Sequence, residues 1–141
     1  MRKIFLKYGD ILCVIGLLLV FTVVYCTGIY TTPFQVNTDE ITIMIVMKKL
    51  IADGVNLFGL SYYFGFPSFI FIALGKIALW LGGIDLYHVR LVHSLFGVGI
   101  VVASYSFFRI SFTKFQAVLL AMLLGFNHSL FAISRMAMRD N

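Results

Sequence analysis

The sequence predicts an all-α integral membrane protein with about three transmembrane helices, and three observations predict it. Hydrophobic residues make up 61% of the 141 residues and charged residues 12%, against roughly 45–50% and 25% in an average soluble domain. The charges leave uninterrupted apolar runs at 11–38, 54–75, 91–108 and 115–134, and a helix needs about 20 apolar residues to cross the roughly 30 Å hydrocarbon layer. The Lys and Arg side chains (11) and the Asp and Glu side chains (6) are also too few to coat a compact soluble domain of this length.

Residues 11–30 follow Arg2, Lys3 and Lys7 and form the first span. The run is longer than a signal-peptide core of about 7–15 residues, and Val24-Tyr25-Cys26 is a poor cleavage match, so the helix is retained with its N-terminus in the cytoplasm. Thr31-Thr32-Pro33 breaks it. Asn37 then caps a helix over 38–53, with Glu40 reaching back as in a capping box and Gly54 as the stop. That segment carries Lys48, Lys49 and Asp53, too short and too charged to span, and is read as a helix lying at the membrane surface. The glycines and the aromatic run Tyr62-Tyr63-Phe64 suit an irregular interfacial segment.

Pro67 opens the next helix, 67–81, which ends at Gly82-Gly83 and covers only about 22 Å. Lys76 in its middle and Trp80 one turn later make it a second interfacial helix; as a full span it would reverse the topology of everything after it. Two firmer spans follow at 89–108 and 115–133, an antiparallel hairpin joined through Arg109–Thr113. This topology puts Arg109 and Lys114 in the cytoplasm with the N-terminal cations. Asp39, Glu40 and Asp140 then face the opposite compartment.

Several chemistries are excluded. The basic residues are scattered singly or in pairs with no stripe, so no nucleic-acid partner is implied; membrane lipids are the expected surroundings. Cys13 and Cys26 lie about 20 Å apart on one helix, too far for a disulfide. No Cys-x-x-Cys, His-x-x-x-His, dinucleotide or phosphate-loop glycine motif occurs. Asn127-His128-Ser129 fits a glycosylation pattern but lies inside an apolar run.

The six acidic residues can be weighed one by one. Asp10 and Asp53 read as solvated helix-end residues, and Asp85 as a cap or loop residue within reach of Arg90. Asp39-Glu40 is an adjacent pair just after a span. It is either ordinary first-turn dipole chemistry or a carboxylate base at the membrane surface. Arg135 and Arg139, four apart on one helix face beside Asp140, are either a basic helix end or a phosphate-binding pair. His88, His93 and His128 share no spacing.

The order of these features resembles the N-terminal part of a GT-C-fold membrane glycosyltransferase of the protein O-mannosyltransferase and lipid A aminoarabinose transferase type. The matching stretches are the first span, the loop ending in Asp39-Glu40, the surface helix to Gly54, and Pro67 opening an apolar segment. They continue through Trp80-Leu81-Gly82-Gly83-Ile84-Asp85-Leu86-Tyr87-His88-Val89-Arg90-Leu91, similar to the family's loop and Ala-Arg-Leu element. Ser134-Arg135-Met136-Ala137-Met138-Arg139-Asp140 is similar to its Arg-x-x-x-x-Asp element. Ser68 follows Pro67 where many members have a second proline, and Val89 replaces the usual alanine.

The resemblance implies the N-terminal fragment of a larger GT-C fold, inactive without the family's later helices. It implies an inverting transferase taking sugar from a polyprenyl-phosphate donor to a hydroxyl acceptor at the extracytoplasmic face. Asp39 would be the base, Arg135 or Arg139 would meet the donor phosphate, and Glu40 and Asp140 would orient the acceptor. A divalent cation, Mg²⁺ or Mn²⁺, would sit on Asp39 and Asp140 if the site uses one. The membrane would be the plasma membrane in a bacterium or archaeon and the endoplasmic reticulum in a eukaryote. The alternative is a non-enzymatic multi-span subunit of a transporter or an assembly factor.

Overall fold

In the computed structural model the backbone is described for residues 8–29, 38–54, 62–63 and 66–135, and the side chains for 8–29, 40–54 and 72–135. The elements run α1 (Tyr8–Cys26), α2 (Thr38–Ala52), β1 (Tyr62–Tyr63), β2 (Phe66–Pro67), α3 (Ser68–Leu81), α4 (Leu86–Phe108), α5 (Lys114–Gly125) and α6 (His128–Arg135). α1 and α4 are long and apolar enough to cross a membrane, and α5 with α6 qualifies only as a pair, bent by 58°.

α1 and α4 lie antiparallel, because polar contacts join them at both ends. Asp10 at the start of α1 meets Tyr105 and Arg109 at the end of α4, and the Ile29 carbonyl meets Arg90 at its start. Arg90 and Arg109 are nineteen residues apart on α4, about 28 Å of helix. That separation matches the hydrocarbon thickness of about 30 Å. Between the two polar layers the interior is apolar: Leu17, Phe21, Tyr25, Val98, Val101, Tyr105, Ala117 and Ala121 form one core of α1, α4 and α5. Leu12, Leu19 and Val23 point outward at 60% exposure or more.

A second core joins α2 and α3 to the first turns of α4, through Ile43, Val46, Met47, Leu50, Ile72, Ala78, Val89 and Val92. The turn from α3 into α4 runs through Gly82 and Gly83 at φ +147 and +158, backbone that a side chain would strain. Asp85 then caps α4, accepting from the His88 backbone N–H at 3.0 Å. Its side chain also binds the His88 imidazole at 2.8 Å, so its partner is His88 and not Arg90.

Three sequence expectations need correction. Asp10 is 7% exposed and paired, not solvated. Its place in the first turn of α1 favours an anion, and the chain brings Arg109 to it. Pro67 belongs to a two-residue antiparallel ladder, opposite Tyr62, and α3 begins at Ser68. The expected single span over 115–133 is two helices. Asn127 breaks it by turning its side-chain oxygen to the Ser129 and Leu130 N–H groups, at 3.0 and 3.3 Å, as the cap of α6. Close packing holds the break in place: a methyl group on Gly125 would overlap the Phe21 ring, and the Tyr25 hydroxyl donates to the Gly125 carbonyl at 2.8 Å.

Candidate functional site

The polar layer at the start of α4 is where the candidate residues gather. Glu40 stands in the first turn of α2, where the helix dipole favours a carboxylate. Arg90 is the fifth residue of α4, just past the first turn, where the helix N-terminus offers a cation no stabilisation. The two compensate each other: Arg90 Nε donates to Glu40 Oε1 and Nη2 to Oε2, both at 2.8 Å. Both side chains are buried, Glu40 at 0% and Arg90 at 1%. Arg90 Nη1 donates further to the Ile29 carbonyl at 3.3 Å, so one guanidinium joins α1, α2 and α4. Planar two-point pairing of this kind is the geometry Arg provides and Lys does not.

Arg135 reaches the same layer from α6. Its Nη1 donates to the Val24 carbonyl at 3.4 Å, in the last turn of α1, where carbonyls lack intrahelical donors. Its Cζ lies 5.1 Å from the Phe131 ring centroid, a cation–π contact. Beside it the Ser94 hydroxyl donates to the Ser134 carbonyl at 3.2 Å. Gly97 makes this approach of α6 to α4 possible, since a methyl group there would overlap Ser134 and the Tyr25 ring. His93, one turn below Arg90, shares its Nδ1 with the Val89 carbonyl at 2.8 Å. If Nδ1 donates to that carbonyl, Nε2 carries the lone pair.

The structure therefore brings Glu40 and Arg135 to one end of the bundle. The backbone of Asp39 is in the first turn of α2 at that end; its side chain, and Arg139 and Asp140, lie outside the described residues. Among the described residues no group of three or more His, Cys, Asp or Glu side chains is placed to hold a metal ion. Glu40 has both oxygens on Arg90, so no step is assigned to a cation there.

Sequence reasoning missed the Arg90 pairing. The available signal was the position of Arg90: a lone cation one turn into an apolar helix needs an internal partner. The opposite layer was missed too. There Asp10 Oδ1 accepts from Tyr105 Oη at 2.7 Å and from Arg109 Nε at 2.8 Å. Tyr105 and Arg109 are four residues apart and so share a helix face, which is the pattern that marks it.

Outside the spans, burial raises the Asp85 carboxyl pKa, but the hydrogen bonds from the His88 backbone and imidazole outweigh it. The group titrates below the usual carboxylate range. In comparisons of sequence and of structure, no protein family, curated protein or solved structure matches the chain.

Proposed function

We propose that the chain is the N-terminal part of an inverting membrane glycosyltransferase that uses a polyprenyl-phosphate sugar donor. The observation that carries the reading is the convergence at one end of the bundle. Arg90 clamps the acidic start of α2 against α1 and α4, and Arg135 arrives there from α6. An acid and a cation at one membrane boundary are the two groups this transfer needs. Asp39 takes the proton of the acceptor hydroxyl, and the oxygen attacks the anomeric carbon on the face opposite the donor phosphate. The bond from that carbon to the phosphate oxygen breaks as the new one forms, and the electron pair leaves with the phosphate. Arg135 or Arg139 neutralises the departing anion as its charge develops. Glu40, its carboxylate held by Arg90, acts by fixing the turn that carries Asp39.

In this reading α2 and α3 lie at the extracytoplasmic surface. Lys48, Lys49 and Lys76 are all exposed, and Trp80 is 84% exposed, as interfacial anchors are. The non-enzymatic alternative has one observation in its favour: among the described residues every buried side-chain nitrogen and oxygen has an internal hydrogen-bond partner. One experiment separates the two. In the full-length protein, Asp39→Asn should cost sugar transfer about a hundredfold or more with expression and insertion unchanged, since general-base help is worth roughly 10²–10⁴-fold. Transfer within about threefold of the parent would remove Asp39 as the base. Glu40→Gln should act through stability rather than chemistry.

A further inference from the structure

Asn127, His128 and Ser129 are all exposed, at the 58° break between α5 and α6. Helix geometry sets their depth. Lys114, at the start of α5, adjoins Gly9 in the inner polar layer, where a methyl group on Gly9 would overlap its ammonium. From there α5 rises eleven residues to Gly125, about 17 Å. The outer layer at Arg90 is about 28 Å from the inner one, so the break sits about 11 Å below it. Three consecutive polar side chains are thus exposed inside a layer whose other outward groups, Phe115, Leu119 and Leu123, are apolar.

Asn127 Oδ1 is occupied by the Ser129 and Leu130 N–H groups, but hydrocarbon offers no partner to its amide N–H groups, to the His128 ring or to the Ser129 hydroxyl. Water satisfies all three. The break is compatible with that surrounding, since interrupted helix at membrane depth is tolerated where it borders protein, as Gly125 does on its Phe21 and Tyr25 side, or a water-filled cavity.

We propose that the α5–α6 break opens a hydrated notch within the membrane-embedded layer, lined by Asn127, His128 and Ser129 and entered from the Arg90–Arg135 end. It makes polar side chains in the outer half of the layer accessible to water-soluble groups. The inference does not rest on the transferase reading; it needs only that α1 and α4 span.

Cysteine reactivity tests it. In the full chain with C13A and C26A, single substitutions Ser129→Cys and His128→Cys are compared with Leu123→Cys on the apolar stripe and Ser111→Cys in the exposed α4–α5 turn. A charged methanethiosulfonate reagent is applied to permeabilised vesicles, so that both faces are reached. Ser129→Cys and His128→Cys should react within about tenfold of Ser111→Cys. Leu123→Cys should be about a hundredfold slower or more, because a thiol in hydrocarbon does not ionise to the reactive thiolate. His128→Cys carries the test if Ser129→Cys fails to fold. Reaction at both sites as slow as at Leu123→Cys would overturn the notch. So would fast reaction at Leu123→Cys, which would put the break at the membrane surface.

Discussion

Replacing Glu40 by methionine removes the partner of a guanidinium that is 1% exposed. Two charge-assisted hydrogen bonds of 2.8 Å disappear, leaving Arg90 with the Ile29 carbonyl at 3.3 Å among its contacts. Breaking a buried pair from one side costs about 3–5 kcal/mol, because the remaining charge stays desolvated. At about 1.36 kcal/mol per decade this is two to four decades in the unfolding equilibrium. Arg90→Met should cost a similar amount by stranding Glu40. The double variant should recover much of the loss, since methionine has comparable volume and neither charge is then left without the other, with a coupling of about 2–3 kcal/mol. Unfolding in mixed micelles of increasing SDS fraction, followed by circular dichroism, measures all four proteins. Single losses below about 1 kcal/mol that simply add would refute a buried pair, since that is the behaviour of a solvent-screened one.

Three further outcomes follow from other contacts. Tyr105→Phe deletes the 2.7 Å hydrogen bond to Asp10 and leaves Arg109 in place, so the same micelle titration should read a loss of about 1–3 kcal/mol. Gly97→Ala inserts a methyl group into Ser134 and the Tyr25 ring and should cost about 1–3 kcal/mol, while Gly99→Ala, which meets nothing within 4 Å, should be neutral or stabilising. Asp85→Ala should cost about 1 kcal/mol as a lost cap. Its pH dependence has a fixed sign. The folded carboxyl titrates below its ordinary value of 3.8, so its contribution is complete above that pH and fades as pH falls through the folded pKa. The difference between Asp85→Ala and the parent should therefore shrink only in acid, below about pH 4.

How legible this molecule was depends on the range of the interactions involved. Helices α1 and α4 follow from long charge-free apolar runs, a property of each segment alone. The turn at Gly82-Gly83 and the Asp85 cap are equally local, and their residue types mark them. The α5–α6 break depends on Phe21 and Tyr25, about a hundred residues away, closing on Gly125. A run of apolar residues through Phe126 gives no sign of that contact. The charged pairs are harder still: Glu40 and Arg90 are fifty residues apart, and Asp10 and Arg109 ninety-nine. Each residue taken singly reads as an ordinary helix-end charge. Only the antiparallel register of α1 on α4 and the docking of α2 decide which charges meet. Asp39 and Glu40 stand out as adjacent carboxylates just after a span, and it is the family resemblance that makes Asp39 the base. The structure gives Glu40 a partner and Asp39 a backbone position in the same turn.

The proposed function requires that the acidic start of α2 and the end of α6 open onto one side of the membrane, opposite Arg109. Single cysteines at Thr38, Asn141 and Ser111, in the background lacking Cys13 and Cys26, measure it with a membrane-impermeant thiol reagent on sealed right-side-out vesicles. Thr38→Cys and Asn141→Cys should both be labelled, and Ser111→Cys only after the vesicles are opened. Labelling of just one of the first two would mean that α3 crosses the membrane or that α5 and α6 together do not, and either result would separate Asp39 from Arg135.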